Sequence, residues 1–391
     1  YTDAQGGRDH RLSTTATLSH DEELFLELLS CALHSELPRP ELFAGLEERS
    51  WRRIHRLATS HAVPAFVGDR ILTLPKGSLP NRNLCLTIFS EIELTRRANI
   101  YLTGALGKLS KLYEEAGLPF ILLKGLSLSQ YYPDPSLRSG GDLDVLFTSG
   151  DHYEKANHLL TEQGFHLHDD SEVRYGHTAF SYGRTVIENH ARAVFFDHKR
   201  HNRAFDKLVR EATESGSLIP LSLGNYTVDT LPHELNVVYI FIHLFFHWLH
   251  WGVGFRQYSD WLLLMTQLKD QLDQDKILSY ARELDILYPM QLFAQAAIRH
   301  LRVSPSIFPF PLLEREDPNT DQVMLDVLYS GNFGFAQRPG KSQNVWVTNW
   351  RKLVFKARRS RRLYSITPVH ASRIIWGSVL GHLLLLVRRR R

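Results

Sequence analysis

Cysteine is almost missing: Cys31 and Cys85 are the only two in 391 residues. Two thiols cannot build a thiolate metal cage or a disulfide framework, and they fit a reducing, cytoplasmic setting. Long apolar runs are missing as well. The longest mostly apolar stretch, 374–387, holds fourteen residues, short of the roughly 17–25 that span a bilayer. The first eighteen residues are polar and lack the apolar core of a secretory signal. Acids are absent from one whole segment. Between Arg351 and Arg391 stand twelve Lys or Arg and no Asp or Glu, so the overall charge of +4 leaves the rest of the chain at −8. A mildly acidic body with a basic tail points to an anionic partner for the tail, lipid or phosphate. Nucleic acid is disfavoured, because aromatic residues are not interleaved with the arginines as stacking platforms. The apolar stretch 374–387 is expected to dock on the rest of the protein, with peripheral attachment to a membrane as the sharper alternative.

What is present is globular composition, 43% hydrophobic and 23% charged, which excludes wholesale disorder. The length suits two or three packed units. Residues 1–19 read as a flexible N-terminus. Residues 20–116 read as helical: Leu24, Leu26, Leu28, Leu29 and Leu33 follow an acidic first turn, and Ile88, Ile92, Leu102, Leu106, Leu109 and Leu112 trace one apolar stripe. At Gly117-Leu118-Pro119 the pattern changes. Phe120 to Leu123 is a short, wholly apolar run that suits a buried strand. A short helix from Leu126, stopped by Pro133, and a second strand after Gly140-Gly141 follow. Residues 151–163 are predicted as an amphipathic helix, and 165–168, 176–182 and 185–190 as strands. These make an α/β core over 117–205. A C-terminal helical domain over 206–350 and the basic tail with its apolar helix, 351–391, complete the division. The fold class is α+β, a small mixed sheet flanked by N-terminal and C-terminal helical regions.

The chemistry is concentrated in Asp142 and Asp144. Positions i and i+2 of a strand project from the same face, so the two carboxylates stand side by side and repel unless a cation joins them. Hard divalent ions such as Mg²⁺ take oxygen ligands of this kind. A lone D-x-D is more often a solvated pair, and its surroundings decide. Lys124, Gly125 and Ser127 sit where a strand gives way to a helix, an arrangement suited to phosphate, and Arg138 adds a second cation. Glu188 shares a strand face with Val186 and His190 and is the expected third carboxylate, with Asp197 in reserve. His190 either orients an acid or an acceptor, or is structural. His243, His247 and His250 share one helical face and read as core or pocket wall before metal site. Arg256 and Asp260, four apart, either pair on their own helix or serve the site.

The strings Phe120-Ile-Leu-Leu-Lys-Gly-Leu-Ser, Tyr132-Pro-Asp-Pro-Ser-Leu-Arg and Gly141-Asp-Leu-Asp-Val-Leu-Phe resemble the polymerase-β-type nucleotidyltransferase superfamily. More narrowly, with Glu188-Asn189-His190, they are similar to a bacterial group known as uncharacterised nucleotidyltransferases. The resemblance implies a cytoplasmic enzyme that moves a nucleoside monophosphate from ATP or another NTP to an acceptor and releases pyrophosphate. It implies two Mg²⁺ ions on Asp142, Asp144 and Glu188, with Lys124, Gly125, Ser127 and Arg138 holding the nucleotide. In this group Gly125 and Ser127 are separated by Leu126, unlike the adjacent Gly-Ser of the wider superfamily. A D-x-D glycosyltransferase and a catalytically idle scaffold of the same fold are the alternatives.

Overall fold

The computed structural model describes residues 18–168, 176–332 and 345–374. Most of the first expected segment, 1–17, and the apolar stretch of the last from 375 onward lie outside these residues. Helices α1 (His20–His34), α2 (Glu48–Ser60) and α3 (Pro64–Leu72) pack together ahead of α4 (Arg82–Glu115). Asn81 opens α4 by accepting the Leu84 N–H at 2.9 Å, which satisfies one of the amides a helix start leaves without a partner. In the predicted stripe Ile88, Ile92, Leu102, Leu106 and Leu109 are buried and Leu112 is half-buried. Its two ends belong to different cores: Ile88 and Ile92 pack with the helices, and Leu102 to Leu109 pack under the sheet.

The sheet has seven strands in the order β3-β4-β5-β2-β1-β7-β6. Strands β1 (Ile121–Leu122) and β2 (Leu143–Leu146) are antiparallel, joined through a seven-residue 3₁₀ helix, Gly125–Tyr131, that ends before Pro133. Helix α5 (Gly150–Glu162) follows, then the meander β3 (His166–Leu167), β4 (His177–Tyr182) and β5 (Thr185–His190). Strand β5 runs parallel to β2 and brings the meander to its edge.

The sheet reaches beyond residue 205. After α6 (Lys199–Glu214), strands β6 (Ile219–Leu223) and β7 (Tyr226–Thr230) form a hairpin, and β7 pairs with β1 in parallel. Its turn is Gly224-Asn225, with Gly224 at φ +64, a two-residue connection that glycine makes easy. Helical structure resumes with α7 (His233–His250) and α8 (Phe255–Leu268). The apolar pattern over 275–303 breaks into α9 (Gln274–Glu283) and α10 (Leu287–Leu301), with Asp285 left-handed between them and Pro289 in the first turn of α10. Helices α11 (Asn319–Ser330) and α12 (Val345–Leu363) follow, and a further helical stretch over 368–374 ends the described chain. It is an α+β fold, a mixed sheet with helical flanks. Among the described residues no helix is long and apolar enough to cross a membrane.

Alternation along the strands gives the sheet two different faces. Leu122, Leu143, Val145 and Ile187 pack on α4 and α5, whereas Ile121, Leu123 and Leu146 belong to the large core built on α7 and its neighbours. On the first face Asn189 is fully buried, accepts from Tyr113 Oη (2.8 Å) and donates to Asn157 Oδ1 (2.9 Å). Strand β5 is pinned there, which leaves its alternate side chains facing α7.

The basic tail enters this core. Arg359 is buried; its guanidinium donates to Asp326 Oδ2 (2.6 Å) and to the Trp248 and Leu249 carbonyls at the end of α7 (2.9 and 3.0 Å from Nε). Arg362 also donates to Asp326. Two of the tail arginines thus meet their anion inside the protein.

Candidate active site

The parallel register of β2 and β5 aligns Asp144 with Glu188 and Leu146 with His190. Residues aligned on neighbouring strands share a face, so the two acids stand beside each other and His190 follows on the same side. One ligand atom from each of Asp144, Glu188 and His190 lies within 4.8 Å of the others, the one such group among the described residues. His190 Nε2 is 3.0 Å from Asp144 Oδ1 and 3.4 Å from Glu188 Oε2. Asp142, one residue ahead of β2, is exposed at the mouth. Partial desolvation, then the charges of Glu188 and Asp144, push its carboxyl up to about 6.

Lys124 closes the inner side. Its ammonium donates to Asp144 Oδ1 at 2.5 Å. Burial alone would raise the Asp144 carboxyl; Lys124 and then His190 reverse this and hold it well below the usual range. Gly125 has φ +72, and a Cβ there would meet the Asp142 carbonyl oxygen at 3.2 Å, so a glycine lets this turn close against the start of β2. Ser127, expected to face phosphate, is buried, and its hydroxyl donates to the Leu123 carbonyl at 2.7 Å. Inside a 3₁₀ helix that bond satisfies a hydroxyl otherwise cut off from water.

Arg138 also has an internal partner. It is 4% exposed, and its Nε and one terminal nitrogen each donate to Asp260 at 2.8 Å, a bidentate pair. Tyr132 Oη donates to Asp260 Oδ1 as well, at 2.8 Å. The expectation that Arg138 faces phosphate is therefore corrected: its fork is turned inward on a carboxylate of α8. Asp260 acts on Arg256 along its own helix through its charge, while its two oxygens are held by Arg138 and Tyr132. Arg256 instead donates to the Gly140 carbonyl at 3.1 Å, close enough to Asp142 for their charges to act on each other.

Helix α7 roofs this face. Tyr239 is buried and lies within the fields of Lys124, Asp144 and Glu188. His243, held well below its usual pKa by burial and next by the Lys124 charge, stacks edge-on against His247 with ring centroids 4.5 Å apart. These rings form a wall beside the acids. On β4, His177 stands opposite His190, 5.2 Å between ring centroids. Asp197, the reserve carboxylate, is outside the acidic group and stands 3.9 Å from His250. Tyr239 and His177 carried no motif in the sequence; strand and helix register bring them in.

The donor set suits a divalent cation. Two aligned carboxylates and an imidazole converge, a third carboxylate stands at the mouth, and the like-charge strain is visible in the raised Asp142 carboxyl. Asp144, Glu188 and His190 have ligand atoms close enough together to hold one, and Asp142 stands beside them at the mouth. Residues 47–301, well over half of the chain, match the family model described as "Uncharacterised nucleotidyltransferase". No curated protein and no solved structure matches.

Proposed function

We propose that the chain, which belongs to the uncharacterised nucleotidyltransferase family, transfers a nucleoside monophosphate from an NTP to an acceptor hydroxyl, amine or phosphate. The observation that carries this reading is the level placement of Asp144 and Glu188 on adjacent parallel strands, with Asp142 at the mouth. In the reaction the acceptor atom bonds to the α-phosphorus, the bond from that phosphorus to the bridging oxygen breaks, and pyrophosphate leaves. A bound divalent cation supplies charge neutralisation and fixes the phosphates. Asp142, Asp144 and Glu188 would hold it, Glu188 is placed to take the acceptor's proton, and His190 orients the two strand acids. Arg256, at the mouth beside Asp142, is the cation best placed to meet phosphate, and Arg138 keeps α8 seated so that Arg256 stays there. Tyr239 and His243 shield the inner end from water. How many ions bind is a separate matter and depends on Lys124.

The test is calorimetric titration of NTPs into the full chain with Mg²⁺ or Mn²⁺, followed by acceptor screening for pyrophosphate release. Binding that needs the divalent ion and disappears in an Asp142→Asn, Asp144→Asn double variant supports the reading. Binding of nucleotide sugars alone, or no nucleotide binding, overturns it in favour of glycosyl transfer or an idle scaffold.

A further inference from the structure

Resting on the nucleotide reading, we infer that this site holds one divalent cation rather than two, because Lys124 occupies on Asp144 the place a second ion would need. A two-ion centre with metals about 3.5–4 Å apart relies on carboxylates that bridge, each offering one oxygen to each ion. Asp144 cannot do this. Its Oδ1 already accepts from Lys124 Nζ at 2.5 Å and lies 3.0 Å from His190 Nε2. A carboxylate oxygen has about two lone-pair positions, so Oδ1 is filled and only Oδ2 is left for a metal.

The ammonium is also not a mobile surface group. Lys124 stands at the joint between β1 and the 3₁₀ helix that begins at Gly125, and its side chain is 19% exposed. Tyr239 of the roof and Glu188 both lie within its field. Swinging away would strand a buried carboxylate and move an ammonium into the face of α7. Lys124 is thus a positioning residue: it orients Asp144 and lends that carboxylate the permanent positive charge another ion would bring.

The experiment counts ions. Mn²⁺ bound to the purified full chain is measured by electron paramagnetic resonance, with and without an α,β-methylene NTP analogue that cannot be cleaved. The expected result is one Mn²⁺ per chain in the wild type and in Lys124→Arg, and a second Mn²⁺ site in Lys124→Met. Two Mn²⁺ in the wild type overturns the inference and leaves the nucleotide reading intact. One Mn²⁺ in both wild type and Lys124→Met overturns it as well, since the lysine would not then be what limits occupancy. Absence of any analogue-dependent Mn²⁺ binding overturns both the inference and the reading beneath it. Should Lys124→Met not fold by circular dichroism, the wild-type count of one or two still decides.

Discussion

Asp144 and Asp260 are both buried aspartates facing a long basic side chain, yet their surroundings differ in kind. Asp260 is matched: Arg138 grips both its oxygens and Tyr132 adds a third bond, and among the described residues no acid joins it in a metal-ligand group. Asp144 has partners in Lys124 and His190 but shares them with further acids, Glu188 level beside it and Asp142 two residues before. A fully satisfied buried pair fixes one arrangement of α8 against the core. An unbalanced cluster holds charge in reserve for something from outside. The same residue type is structural in one place and available for chemistry in the other, and the number of nearby acids decides which.

That contrast can be broken by experiment. The largest effect is expected at Asp260. Asp260→Ala leaves the Arg138 guanidinium buried without its counter-ion and should cost about 3–5 kcal/mol of unfolding free energy, read from urea midpoints. Mn²⁺ affinity per folded molecule should stay within about tenfold, the lower end of what an outer-shell change costs. Asp144→Asn should show the opposite balance. Mn²⁺ binding should weaken by more than about a hundredfold, beyond the outer-shell range; stability should fall too, since Lys124 loses its buried counter-ion, and relief of the repulsion with Glu188 and Asp142 offsets part of that loss. If the two variants behave alike, the distinction drawn between the two aspartates fails.

Acid should separate the regions as well. In the helical part burial keeps His61 and His370 neutral, with pKa values lowered to about 4, and His250 lowered to about 3. Their unfolded values lie near 6.5. Their contribution to stability is therefore complete above pH 6.5 and drains away as the pH falls toward 4. Asp142 runs the other way: its folded carboxyl, about 6 against an ordinary 3.8, keeps its proton longer in the fold. Its contribution to stability therefore falls as the pH rises from about 4 to 6. Urea midpoints at pH 7.5 and 5.0 should show a net loss on acidification, dominated by the three histidines. The smallest effect is at Asp142 itself. Without divalent ions, Asp142→Asn should melt a few degrees above wild type at pH 7.5 and level with it below pH 4. Adding Mn²⁺ should raise the wild-type midpoint and leave the variant unmoved.

The sequence made much of this legible, for local reasons. Phe120 to Leu123 is apolar throughout and forms β1 with its continuation, and Leu123 N–H reaches the Asp144 carbonyl at 2.9 Å. Alternation alone put Glu188 and His190 on one face of β5, because strand period is set by the backbone. Long-range partners were not legible. Arg138 looked like a rim cation because Asp260 stands 122 positions away, a separation at which no spacing rule operates. Ser127 looked like a donor to phosphate because its turn onto Leu123 depends on the 3₁₀ geometry. The hairpin β6–β7 did carry a signal, Leu221-Ser-Leu-Gly-Asn-Tyr-Thr-Val, an apolar–polar alternation around a Gly-Asn turn, easily lost between two helical stretches.

Arg359 has one consequence for the site that it never touches. Helix α7 carries Tyr239 above the acids, and nine residues later, about 14 Å along the axis at 1.5 Å per residue, its carbonyls end in the Arg359 guanidinium. The roof over the acids is thus a beam whose far bearing is a side chain from α12. Trimming the chain ahead of that arginine would slacken the beam and loosen the pocket from a distance, leaving every acid in place and none of them well covered.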